Sequence, residues 1–237
     1  LRDFSMAQAQ RHRRRARKNA NAPDVPRTPY IIRKIGTINV LSEEGLCLIE
    51  ENADRILAET GMEFKDDPEI LQVFAAAGCD LQRDRVRFAP GICRKIIQTN
   101  APAQFQQHAR NPANTVQIGG DATVLCPSWG PPFVHDLDAG RRYATYEDFK
   151  RLVRLHHALP WLHHSGGVVC EPVDLPATKR HLDMLYAHMR YSDRAFMGAF
   201  IGAERAGHAI DMARILFGAD FIAENPVLYC VSNTNAP

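Results

Sequence analysis

The 237-residue chain contains no apolar run approaching the roughly 18 residues that cross a bilayer; the longest, such as 227–231, are strand-sized. A membrane-spanning helix is therefore not expected. No two of the six cysteines, at positions 47, 79, 93, 126, 170 and 230, lie within ten residues of each other. Without a CxxC pair there is no zinc ribbon and no thioredoxin-like redox motif. Scattered cysteines in a chain of this length predict reduced, mostly buried thiols in a cytoplasmic protein. No GxGxxG, no GK[ST] after Gly166-Gly167 and no GxSxG occur, so nucleotide-phosphate loops and the serine-hydrolase elbow are absent. HEXXH and HxH spacings are missing as well. No apolar signal segment follows the basic start; NANAPDVPRTP is polar and Pro-rich, and a transit peptide is the alternative reading of that start.

What is present is an ordinary globular composition, 45% hydrophobic and 24% charged, with Gly 15 and Pro 15. The net charge of +2 is unevenly distributed. Residues 11–18 (RHRRRARK) hold six of the 29 basic residues and no acid, which leaves the remainder of the chain at −4. A mildly acidic body with a local cationic arm excludes a whole-surface nucleic-acid binder. The arm, without interleaved aromatics, is expected to dock across a subunit or to meet an acidic partner. No nucleic-acid and no membrane partner is expected.

Residues 1–29 read as a basic flexible arm, broken by Pro23, Pro26 and Pro29. Residues 30–113 read as a mainly helical region. Ser42 caps a first helix with Leu46, Ile49, Ala53, Ile56 and Leu57 on one side and Gly61 at its end. A second helix runs from Pro68 to Gly78, and a third starts near Pro90. Residues 114–237 change character. TVQIGGDATVL predicts a β-hairpin around Gly-Gly-Asp, CPSWGPPFVHDLDAG a Pro- and Gly-rich loop, and Thr145 the cap of a helix to about Leu159. Strand-like segments then start at 161, 194 and 227, separated by helices over about 177–191 and 202–217. A repeat of 33 residues is the length of a βα unit, and successive units imply a parallel sheet with right-handed crossovers. Two and a half units neither close a barrel nor cover a sheet, so an N-terminal fragment is expected, with about five further units beyond residue 237.

The run Pro132-Phe133-Val134, Asp136, Gly140, Arg141-Arg142, Thr145 and Asp148, together with LSEEGL, ILAETGMEF, FAAAGCDL and DRVRFAP, resembles the trimethylamine methyltransferase family. These are corrinoid-dependent enzymes that include glycine betaine methyltransferases. The resemblance runs over nearly the whole chain. It implies an α/β fold, a (β/α)8 TIM-type barrel of which only the first units are present, preceded by the helical region and hairpin. It also implies transfer of a methyl group from trimethylamine or a glycine-betaine-like amine to the Co(I) of a corrinoid (cobalamin) carried by a partner protein. The protein is expected to hold no metal of its own and to form a homo-oligomer. In trimethylamine methyltransferases proper a pyrrolysine follows, at a position beyond residue 237.

An ammonium substrate calls for aromatic faces or carboxylates, and barrel sites lie at the carboxyl ends of the strands. That selects Cys170, Glu171, Phe200, Ser232, Asn233 and Thr234, with Trp129 and Phe133 from the preceding loop. Each has a structural alternative. Trp129 and Phe133 could pack or cap the barrel, Phe196 and Phe200 alternate as core residues do, and Asn233 could make a turn. Glu171, before Pro172, has no such structural need. His156-His157 and His163-His164 invite a metal reading, but adjacent histidines diverge on helix and strand alike. Arg141-Arg142 suit either a phosphate or a salt-bridged loop. The competing functions are a non-catalytic betaine-binding or scaffolding barrel and a metal-dependent barrel hydrolase using the histidine pairs.

Overall fold

Short polar caps and glycine stops, rather than long apolar faces, delimit most elements of the computed structural model, which describes residues 31–36 and 38–231. The arm at 1–29 and the candidates Ser232, Asn233 and Thr234 lie outside the described residues. β1 (Ile31–Ile32) belongs to the larger of two units, with residues 104–231; residues 33–103 form the other.

The unit 33–103 contains α1 (Glu43–Glu59), β2 (Met62–Glu63), α2 (Pro68–Ala76), β3 (Asp80–Gln82), β4 (Arg85–Arg87) and α3 (Ile92–Asn100). Ser42 Oγ accepts from the Gly45 amide, so the expected cap forms, and Asp67 caps α2 by accepting from the Ile70 amide. Gly61 follows α1 at φ +68°, where a Cβ would collide with the Val86 carbonyl, so glycine is required twice over. The three strands make an antiparallel sheet in the order β2-β4-β3. Phe74 joins Phe64 and Phe88 into an aromatic cluster, at centroid separations of 4.7 and 5.3 Å. Leu46, Ile49 and Ile56 of α1 remain exposed.

The other unit begins with β1 and continues through β5 (Gln104–Gln107), β6 (Val116–Gly119), β7 (Ala122–Thr123), β8 (Phe133–Asp136), β9 (Gly140–Tyr143) and α4 (Tyr146–Ala158). It ends with α5 (Arg180–Tyr191), β10 (Phe196–Met197), α6 (Ala203–Phe217), α7 (Ala219–Glu224) and β11 (Leu228–Tyr229). The expected hairpin across Gly119-Gly120-Asp121 does not form. β6 instead pairs with β5 over four residue pairs and β7 with β1 over two, so each piece of the expected hairpin takes a different partner. A hairpin does occupy the segment read as a loop, β8 with β9.

That hairpin accounts for the family-like run residue by residue. Asp136 accepts from the amides of Asp138 and Ala139, and Gly140 turns the chain at φ +64°. The Phe133 ring lies 4.6 Å from Tyr143 and carries the Arg141 guanidinium 3.6 Å from its centroid. Arg142 grips both Asp148 oxygens, at 2.5 and 2.8 Å, and reaches Asp136 at 3.3 Å. Thr145 and Asp148 complete a capping box on α4. The salt-bridged-loop reading is realised for Arg142, while Arg141 stacks on Phe133 instead.

Parallel pairing follows the 33-residue rhythm but is short. His164 bridges Ala195, and Phe196-Met197 pairs with Leu228-Tyr229. Ladder bonds run from Ser165 N to Ala195 O, Met197 N to Gly166 O and Gly198 N to Tyr229 O. The expected barrel is therefore met only in part: the fold is mixed α/β, with several small antiparallel sheets and one parallel pair, and no closed barrel forms among the described residues. α4 and α5 enclose a core of Phe149, Val153, Val169, Cys170, Met184 and Ala187; α5 and α6 enclose another around Leu185, Phe196 and Ala209. All six cysteines are free, yet only Cys170 is buried, so the expectation of mostly buried thiols does not hold. Cys47, Cys126 and Cys230 are exposed. Among the described residues no helix is long and apolar enough to cross a membrane.

The Arg142 pair and Thr145 hold the Asp148 carboxyl well below its usual range. Its contribution to stability is complete above the ordinary aspartate pKa of about 3.9 and falls as pH drops below it. Asp148→Ala is expected to cost about 2 kcal/mol at neutral pH, through loss of the cap and of a charge-assisted bond, and to flatten the acid limb of the stability curve. Urea unfolding at pH 7 and pH 3.5 measures both.

Candidate functional site

The site is built around a buried side-chain amide that donates to two backbone carbonyls of the parallel segments. Gln107 is fully buried, and its amide nitrogen donates to Phe196 O at 2.8 Å and Val227 O at 3.1 Å. Its Oε1 is thereby turned to His164 and accepts from Nε2–H at 3.1 Å. The other ring nitrogen, Nδ1, accepts from the Gly166 amide at 2.9 Å, with the Cys126 sulfur 3.5 Å away. One amide thus links three parallel segments and fixes a neutral histidine tautomer. Tyr229 packs edge-on to the same ring.

A second buried histidine ties α5 to the first segment. His188 donates from Nε2 to Gly167 O at 2.8 Å and accepts at Nδ1 from the Ser165 hydroxyl at 2.7 Å. It is stacked on Phe196 and met edge-on by Phe149. Burial pulls its pKa down to about 4 and that of His164 down to about 3, so both are neutral at pH 7. His163 Nδ1 accepts from the Leu125 amide, and His156 and His157 are half-buried on α4. The histidine pairs do not converge. Among the described residues no group of three or more His, Cys, Asp or Glu side chains is placed to hold a metal ion.

Beyond these segments the chain from Trp129 to Pro132 is laced to the chain from Val168 to Val173. Gly130 N donates to Val168 O, Glu171 N to Pro131 O, Ala144 N to Pro132 O and Val173 N to Ala144 O. The lacing brings Trp129 and Glu171 to a pocket of about 360 Å³ whose wall also includes Gly198, Phe200, Cys230 and Val231, at the carboxyl ends of the parallel segments. Phe200 is set by Gly198, since its ring occupies the space a Cβ there would take. The first turn of α5 supplies Arg180 and His181, and α6 supplies Arg205.

Three of the sequence candidates, Trp129, Glu171 and Phe200, therefore line one pocket. Phe133 lies elsewhere, in the β8–β9 hairpin, and Cys170 belongs to the core, its thiol pushed up to about 12 chiefly by burial. Sequence reasoning missed Arg180, which donates to Glu171 Oε1 at 2.7 Å, and Arg205, which donates to Ala177 O. Their position in the first turns of the two helices that follow the strand ends was the available signal.

A family model described as trimethylamine methyltransferase (MTTB) matches residues 7–237. The chain belongs to that family. A glycine betaine methyltransferase of Desulfitobacterium hafniense (strain Y51) is 41% identical to it over 203 residues, 84% of this chain and 41% of that protein. The chain thus spans well under half the length of this curated relative. For this member of the family, the hairpin run most like the family pattern is architectural, while the pocket is lined by residues outside it.

A histidine buried neutral binds fewer protons folded than unfolded once pH falls below about 6.5. Stability is therefore expected to decline between pH 6.5 and 4 as unfolded His164 and His188 gain protons that the folded state refuses. His188→Gln is expected to shallow that decline while lowering stability at pH 7. A urea midpoint with the same pH slope as wild type would assign the decline to other groups.

Proposed function

We propose that this chain is part of a methyltransferase that takes a methyl group from a quaternary or tertiary methylated amine, glycine betaine or trimethylamine, and passes it to a corrinoid carried by a partner protein. The observation that carries the reading is the pocket at the strand ends, where Trp129, Phe200 and Glu171 meet within a chain matched to the family over residues 7–237. The three parallel segments are read as the first strands of a (β/α)8 barrel, whose sites lie at that end.

Each pocket group has a task in this reaction. The faces of Trp129 and Phe200 attract a methylated ammonium without needing hydrogen bonds, which a quaternary cation cannot donate. Glu171 supplies the countercharge. A wall that also includes Met184, Leu185 and Met197 excludes water and so strengthens both effects. A corrinoid carried by the partner would supply a Co(I) nucleophile for the methyl group; the C–N electron pair would stay on nitrogen, so a quaternary substrate would leave as a neutral tertiary amine and protonated trimethylamine as neutral dimethylamine. What the chain must do is hold the N-methyl group open to the partner.

The test is consumption of free cob(I)alamin by the full chain with trimethylamine, glycine betaine, carnitine and proline betaine. Loss of the Co(I) absorption with one or more of them is expected. Trp129→Ala and Glu171→Gln are each expected to lower kcat/KM roughly tenfold, the worth of about 1.4 kcal/mol of cation stabilisation. Loss with none of them sinks the reading; thermal stabilisation by these amines without Co(I) loss would favour a non-catalytic betaine-binding barrel.

A further inference from the structure

The pocket that the proposed function assigns to an ammonium carries more positive than negative charge. Two guanidinium groups, Arg180 and Arg205, stand on its wall against one carboxylate, Glu171. His188 and His181 add no charge, since burial lowers the pKa of both. A simple trialkylammonium would enter against a net cationic wall.

The two arginines are not equivalent. Arg205 Nη2 is tied to the Ala177 carbonyl. Arg180 has five N–H donors and a side chain only 16% exposed, yet among the described residues it makes one hydrogen bond, from Nη1 to Glu171 Oε1. Its Nε is sealed from solvent without an acceptor. It opens the twelve-residue helix α5, whose N-terminus has no side-chain cap, so the helix dipole adds to the same potential. A guanidinium this under-used, beside a single carboxylate, matches a second carboxylate.

We propose that Arg180 is the specificity-determining residue of this pocket. It selects ligands that carry a carboxylate as well as a methylated ammonium, by donating its free N–H groups to that carboxylate while Glu171 and the aromatic faces keep the cation. The inference rests on the reading that the pocket takes a methylated ammonium, and it adds which ones.

The experiment compares equilibrium binding of glycine betaine and choline, which share the trimethylammonium group and differ in the carboxylate, to the full chain and three variants. Wild type is expected to bind glycine betaine about tenfold or more tighter than choline. Arg180→Gln is expected to weaken glycine betaine by at least about tenfold and to leave choline unchanged or improved; Arg180→Lys restores part of the difference. Glu171→Gln, which removes the competing carboxylate, is expected to weaken choline and to widen the ratio. Equal losses for both ligands in Arg180→Gln, or a ratio that Arg180 and Glu171 variants leave untouched, overturn the assignment while the ammonium pocket stands. Binding of neither ligand, with no Co(I) consumption by any amine, overturns both.

Discussion

The side-chain amide of Gln107 is the interaction on which the parallel part of this protein depends. Strand pairing there extends over only two residues or a single bridge, too little to align three segments by backbone bonds alone. Gln107 donates to a carbonyl at each of two segments and accepts from a histidine on the third, from a position with no solvent contact. In that setting an unpaired amide or carbonyl is costly, so the three contacts are made together or not at all. The register they impose sets where the carboxyl ends of the segments stop, and the pocket is those ends.

His164 and His188 work as neutral struts. Each uses one ring nitrogen to donate and the other to accept, so each spans two chain segments without carrying charge. An imidazolium at His164 would leave the Gly166 amide facing a donor, and one at His188 would turn the Ser165 hydroxyl from donor to acceptor. Burial removes that state, and the low pKa is the consequence. His164 belongs to one of the histidine pairs that invited a metal interpretation; what separates strut from ligand is whether the lone pairs converge, and those of His163 and His164 are taken by the amides of Leu125 and Gly166.

The architecture was legible in part. The helices starting at Glu43 and Tyr146 begin at the expected caps Ser42 and Thr145, because a cap is a local interaction within four residues, and those at Pro68 and Ala203 begin where expected. The 33-residue rhythm likewise located the parallel segments. The hairpins were not legible. Gly119-Gly120 marks a turn, but β6 pairs back with the neighbouring β5 and β7 with β1, far away in the chain. The segment from Trp129 to Gly140 looked like a loop because its prolines and glycines hid a four-residue register that only Tyr143 and Arg142 complete.

Composition, caps and motif by themselves determined that this is a mixed α/β chain with a cationic start and the pattern of its family. They also directed attention to Trp129, Glu171 and Phe200, since residues that follow strands are set by local chain order. Tertiary structure alone decided that these three share a pocket, that Phe133 and Cys170 do not, and that Arg180 joins Glu171 there. The reason is physical: a cap or a repeat is written within a few residues, whereas a pocket wall is set by long-range hydrogen bonds such as Gly130 to Val168 and Gln107 to Phe196. Sequence spacing carries no record of those partners.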